Sequence, residues 1–76
     1  MITIKMPELG EEIEKATVSC IYFKVGDEIK EDDDILELTT DKATFNVPAS
    51  ASGVLTKILV KEGQEVMVGE TLVIVE

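Results

Sequence analysis

Seventy-six residues with 16 acids against 7 lysines, no arginine and a formal net charge of −9 make one small acidic domain with a modest core. That balance excludes nucleic acid, whose phosphates need clustered cations, and it disfavours an anionic membrane surface; no apolar run is long enough to span a bilayer. There is no histidine to act as a general base near neutral pH, and the lone Cys20 cannot close an internal disulfide.

The hydrophobic share of 45%, mostly Val, Ile and Leu with 4% aromatics, favours strands. In chain order the first strand spans 2–6. The charged segment Glu11–Lys15 lacks a stable apolar stripe and reads as loop. A long strand over 16–24 follows, in which Cys20 reads as a packing residue and Tyr22 and Phe23 as structural. Gly26 turns the chain into a short strand at 28–30. Asp32-Asp33-Asp34 lacks the alternating spacing and closing glutamate of a calcium loop, so it reads as an acidic turn. In the strand over 35–40, Leu36 and Leu38 alternate with Glu37, and Phe45 and Val47 continue the alternation around Asn46 in the strand over 43–47. Strands over 53–60, 65–67 and 71–75 complete the chain.

The two halves repeat. Residues 16–38 align with 53–75 at an offset of 37, matching Ile21 with Ile58, Lys24 with Lys61, Gly26 with Gly63 and Glu28 with Glu65. Ile4-Lys5-Met6-Pro7 aligns with Phe45-Asn46-Val47-Pro48 at an offset of 41, which predicts four extra residues in the loop between Pro7 and Ala16. Neither copy can bury its apolar face alone. The expected fold is therefore all-β, a flattened barrel or sandwich of two four-stranded sheets with pseudo-twofold symmetry. Gly26, Gly53 and Gly63 are expected at backbone positions that need glycine, with positive φ one reason.

Lys42 lies at the tip of the central hairpin, in Thr40-Asp41-Lys42-Ala43. A rigid fold that displays one amine on a tight turn, with nothing else reactive nearby, presents that amine for covalent attachment of a prosthetic group. An ordinary solvated lysine is the plain alternative. Asp41 suits a turn in its own right, and Ala43 leaves the lysine uncrowded.

Three features together resemble the lipoyl domain of 2-oxo acid dehydrogenase complexes. These are Met6-Pro7-Glu8-Leu9-Gly10-Glu11, the turn Asp41-Lys42-Ala43, and Gly53 eleven residues after Lys42. The resemblance covers Ile2 to Val75. It implies lipoic acid in amide linkage to Lys42, with Asp41 and Ala43 recognised by a lipoate-protein ligase or lipoyl transferase. The loop from Glu8 to Lys15, and Glu8, Leu9, Gly10, Glu11 and Glu12 in particular, would recognise a thiamine-diphosphate-dependent 2-oxo acid decarboxylase. The further partners implied are an acyltransferase core and a flavin-containing dihydrolipoamide dehydrogenase.

On this reading the domain has no catalytic residue and holds no metal; the cofactor performs the chemistry. Residues 1–76 form a single lipoyl domain, expected to be the N-terminal domain of a longer dihydrolipoamide acyltransferase, with a free-standing carrier as the alternative, in a bacterial or archaeal cytosol. Asp-Lys-Ala suits a pyruvate or acetoin complex better than a branched-chain one. The nearest rival is a biotin carrier, whose lysine usually sits in M-K-M. The glycine-cleavage carrier protein also bears lipoate but is a longer chain. An unmodified barrel-sandwich adaptor would typically lack the lysine. An independent enzyme finds no nucleophile–base pair, metal cluster or phosphate loop to rest on.

Overall fold

A computed structural model describes all 76 residues as eight strands and no helix. The strands are β1 (Ile2–Lys5), β2 (Lys15–Ile21), β3 (Glu28–Ile29), β4 (Asp34–Thr39), β5 (Thr44–Pro48), β6 (Gly53–Ile58), β7 (Glu65–Met67) and β8 (Thr71–Val75). They form two four-stranded antiparallel sheets, ordered β1-β8-β6-β3 and β5-β4-β2-β7. Advancing every strand by four positions in chain order turns one sheet into the other, so each sheet takes strands from both halves. This is the architecture expected from the repeat.

The core consists of 16 buried residues, all of them apolar, and no side-chain polar atom is buried without a partner. Alternation along the strands places them there. Leu36 and Leu38 face inward with Val47, and Val73 and Val75 occupy the corresponding places in β8. β4 and β8 each bury two adjacent residues as well, Ile35-Leu36 and Leu72-Val73, which strict alternation does not anticipate.

Hydrogen bonds at equivalent positions lock the halves together. Gly26 N donates to Leu55 O and Gly63 N to Val18 O, both at 2.7 Å. Leu55 N returns to Asp27 O at 2.9 Å, and Val18 N to Gln64 O at 2.8 Å. The turns that deliver these glycines repeat too. Lys24 N donates to Asp27 Oδ2 at 2.8 Å and Lys61 N to Gln64 Oε1 at 3.1 Å, in the turns that follow β2 and β6. Gly26 and Gly63 have φ of 98° and 90°, a region that L side chains rarely adopt.

The first strand corrects the sequence alignment. Ile2, Ile4 and Lys5 pair with Val75, Val73 and Thr71, whereas Phe45, Val47 and Pro48 pair with Leu38, Leu36 and Asp34. Met6 N donates to Glu70 O as Ala49 N does to Asp33 O. Met6 therefore corresponds to Ala49 and Ile4 to Val47, an offset of 43 rather than 41. The β1–β2 connection carries six extra residues rather than four. A two-residue slip leaves every side chain on its original face, so alternation alone could not detect it.

Gly53 is needed for a different reason from the turn glycines, because its φ is not positive. A Cβ there would stand 2.5 Å from Glu76 O, 2.8 Å from Val75 Cγ1 and 3.0 Å from Glu76 C. Two of those three atoms are backbone and cannot rotate away. Gly53→Ala is expected to lower stability by about 1–3 kcal/mol, read as a lower thermal midpoint. Gly26→Ala meets no neighbour within 4 Å and would be strained only through its φ.

Tyr22, read from the sequence as structural, is 48% exposed just beyond β2. Its hydroxyl donates to Glu37 Oε2 at 3.3 Å, and Ser19 Oγ donates to Glu37 Oε1 at 2.8 Å. Partial desolvation of the ring, and then the Glu37 carboxylate beside it, hold the phenol above its ordinary value of 10.0. The neutral phenol is thus the form the fold favours, an effect present below pH 10 and lost as pH rises through the raised value. Phe23 is half-buried against the core, and Cys20 is half-buried beside the bulge in β2.

Candidate functional site

β4 and β5 pair down to Thr39 opposite Thr44, leaving Thr40-Asp41-Lys42-Ala43 as the hairpin tip. Thr40 N donates to Ala43 O at 2.8 Å, and Thr40 Oγ1 donates to the same carbonyl at 3.1 Å. Lys42 N and Ala43 N both donate to Thr40 Oγ1, at 3.3 and 3.2 Å. The sequence reading did not single out Thr40. The available signal was a threonine immediately before a two-residue tip that contains no glycine or asparagine.

The Lys42 side chain is 76% exposed and points its amine into solvent. Its one partner is Glu12 in the β1–β2 loop, with Nζ donating to Oε2 at 3.3 Å. Glu12 is 85% exposed, so this pair is worth on the order of 0–1 kcal/mol and does not sequester the amine. Asp41 and Ala43 flank the lysine on the exposed tip, and the Asp41 carboxylate takes no part in the hydrogen bonds of the turn.

The long loop lies beside the hairpin only along its later part. Glu12, Ile13 and Glu14 line an open cleft of ≈ 430 Å³ whose other side is residues 39–42. Only two of its eleven lining residues are hydrophobic, and Lys15 and Glu65 pair at its edge at 3.6 Å. Glu8, Gly10 and Glu11 are exposed but do not line the cleft, and Leu9 is half-buried against the core. Ile13 N bonds to Gly10 O at 3.1 Å, and Val68 N to Glu14 O at 3.1 Å. The loop is therefore tied to its own turn and to the β7–β8 connection. The structure brings Glu12 to Lys42 and leaves Glu8 to Glu11 apart from it. The acidic turn adopts local bonds instead of a ligand cage: Asp33 Oδ2 accepts from Lys30 N at 3.0 Å, and Asp32 sits at φ 73°.

A primary amine, exposed at the end of a rigid hairpin and held by one weak ion pair, is suited to acylation. Nothing around it forms a catalytic pair, and no enclosed apolar pocket adjoins it. The surroundings fit a covalently attached arm that leaves the surface.

Comparison with known proteins agrees with this geometry. The family model described as "Biotin-requiring enzyme" matches residues 2–75. The dihydrolipoyllysine-residue succinyltransferase component of the 2-oxoglutarate dehydrogenase complex of Rickettsia typhi is 44% identical over 69 residues, covering 91% of this chain and 17% of that protein. The dihydrolipoyllysine-residue acetyltransferase component of the pyruvate dehydrogenase complex of Mycoplasma capricolum is 34% identical over 76 residues, covering 100% and 17%. The chain thus spans about a sixth of the length of these relatives. The solution structure of the lipoyl domain of the 2-oxoglutarate dehydrogenase complex from Azotobacter vinelandii superposes with a TM-score of 0.79 at 37% identity, covering 100% of this chain and 96% of that one. The chain belongs to the biotin- and lipoyl-attachment family, and in sequence and fold it is a lipoyl domain of the kind found in 2-oxo acid dehydrogenase acyltransferases.

Proposed function

We propose that Lys42 of this lipoyl domain carries lipoic acid in amide linkage and that the domain shuttles the attached group between the active sites of a 2-oxo acid dehydrogenase complex. The observation that carries this reading is the exposed Lys42 amine at the tip of the hairpin joining β4 and β5. When attached, lipoate supplies disulfide redox and acyl-transfer chemistry that no side chain of this protein has. The protein's own residues display, orient and recognise.

Amidation requires the Lys42 nitrogen, freed of its proton, to attack an activated carboxyl carbon. The leaving group departs, and the amide no longer carries charge, so the formal count moves from −9 to −10. Glu12 then loses its ionic partner and is left as a free carboxylate beside the arm. Thr40 holds the tip in shape during the attack. Asp41 and Ala43 serve the modifying ligase, the first as a free carboxylate and the second by leaving room around the amine. Tethering raises the local concentration of the attached group at successive active sites, and the rigid sheets fix where the arm begins.

Within this reading the parent chain is a dihydrolipoamide acyltransferase with this domain at its N-terminus, acting in the cytosol in a complex of the pyruvate type. Its partners are a thiamine-diphosphate-dependent decarboxylase, the acyltransferase core and dihydrolipoamide dehydrogenase. The loop from Glu8 to Lys15 is the surface assigned to the decarboxylase.

The test is the intact mass of the folded domain after incubation with lipoate, ATP and a lipoate-protein ligase, beside a parallel reaction with biotin and a biotin ligase. A gain of one lipoyl group mapped to Lys42 is the expected result. A biotinyl gain alone would make the domain a biotin carrier, and no gain in either arm would make it an unmodified adaptor.

A further inference from the structure

The hairpin tip is closed by a side chain where main chain would ordinarily do the work. A two-residue hairpin loop usually closes with a reciprocal pair of main-chain bonds in a turn of type I′ or II′, which needs positive φ at one or both central residues. Here the central residues are Asp41 and Lys42, and Asp32 is the only non-glycine residue in the chain with positive φ. The primed turns are therefore not used.

The bond pattern records the consequence. Thr40 N donates to Ala43 O, but Ala43 N turns to Thr40 Oγ1 instead of the Thr40 carbonyl. Lys42 N points to the same oxygen. The hydroxyl proton returns to Ala43 O. A hydroxyl has one donor and two acceptor sites, and all three are engaged within these four residues.

We infer that Thr40 is a positioning residue for acylation of Lys42: its hydroxyl, by closing the tip, fixes the backbone from which the amine is presented to the ligase. The inference rests on the carrier reading of Lys42. The lysine side chain has no other firm anchor, because its pair with Glu12 is exposed on both sides. Thr40 itself is half-buried immediately after β4, whereas Lys42 is exposed. Thr40 makes no hydrogen bond to Lys42 Nζ; it acts through the main chain of Lys42.

Thr40→Val keeps the branched shape and removes the hydroxyl, and Thr40→Ser keeps the hydroxyl. Amide hydrogen exchange, measured without any ligase, should quicken at Lys42 and Ala43 in Thr40→Val and remain near the original in Thr40→Ser. Ligase-catalysed lipoylation should lose about tenfold in kcat/KM for Thr40→Val, as expected when a nucleophile is no longer held in place, and Thr40→Ser should restore most of it. Acylation of Lys42 by a small activated ester, which needs access but no particular presentation, should run at the same rate in all three proteins. Unchanged exchange at the two amides in Thr40→Val would overturn the hydroxyl closure. Equal ligase rates for Thr40→Val and the original, or equal losses in both variants, would overturn the positioning role. An original protein that accepts no lipoate would instead sink the carrier reading, and with it the positioning role, while the exchange result would still stand or fall separately.

Discussion

Lys42→Ala is expected to abolish attachment of the prosthetic group completely while leaving the fold intact. Both halves of that expectation come from where the side chain sits. The Lys42 side chain is 76% exposed, and its only polar partner is the exposed carboxylate of Glu12. An exposed pair of this kind contributes on the order of 0–1 kcal/mol. For a domain of this size 1 kcal/mol corresponds to about 4–8 °C in thermal midpoint, so the variant should melt within a few degrees of the original. The other six lysines cannot substitute, because none is displayed on the tip of a hairpin at the centre of the repeat. Intact mass after the ligase reaction reads the first half of the expectation, and circular dichroism through a melt reads the second. Residual labelling on another lysine would contradict the unique presentation argued here. An unfolded variant would make Lys42 structural and remove the basis for the carrier reading.

The parts of this architecture legible in the sequence were those set by periodicity and by glycine. All eight strands and the lysine at the central turn follow from apolar alternation broken by Gly26, Gly63 and the acidic turns. The halves were matched correctly at an offset of 37 because identities at Ile21, Lys24, Gly26 and Glu28 anchor it, and the same offset relates the interlocking hydrogen bonds. The first strand had no such anchor. Proline at 7 and 48 suggested an offset of 41, while pairing with β8 and β4 gives 43. The two registers bury the same face, so only the hydrogen-bonded partners could separate them.

Other features were hidden because they depend on long-range approach. Gly53 was legible as a required glycine, but its cause is the carbonyl of Glu76 lying against it, 23 positions along the chain. Tyr22 reads as structural from its place near the end of the long strand, but its tie to Glu37 depends on a partner 15 positions away. The site itself divided in the same way. The lysine was legible from its place in the repeat. The closure by Thr40 was not, since a threonine before Asp-Lys carries no periodic signal. The loop from Glu8 to Lys15 was expected as one recognition surface, yet only Glu12, Ile13, Glu14 and Lys15 line the cleft beside Lys42, and Leu9 turns toward the core.

Leu55→Ala should be the most destabilising of the substitutions considered, and it tests whether the two halves are one cooperative unit. Leu55 is fully buried, and its main chain bonds in both directions to the Gly26 turn of the other half. Truncating a buried leucine costs about 2–5 kcal/mol through lost burial and the cavity left behind. A domain of 76 residues at 0.05–0.15 kcal/mol per residue has roughly 4–11 kcal/mol in total, so the variant should lose a large share of its stability and melt at least about 10 °C lower. The single tyrosine provides the discriminating probe, because Tyr22 lies in the first half and Leu55 in the second, and there is no tryptophan to obscure it. If each sheet is built from both halves and the glycine turns interlock them, the Tyr22 signal must move to the lower temperature together with the far-ultraviolet dichroism. A Tyr22 transition that stayed at the original temperature while the dichroism fell would show that the first half holds together without the second. The interlocked pseudo-twofold core, and the fixed base it gives to the Lys42 hairpin, would then be wrong.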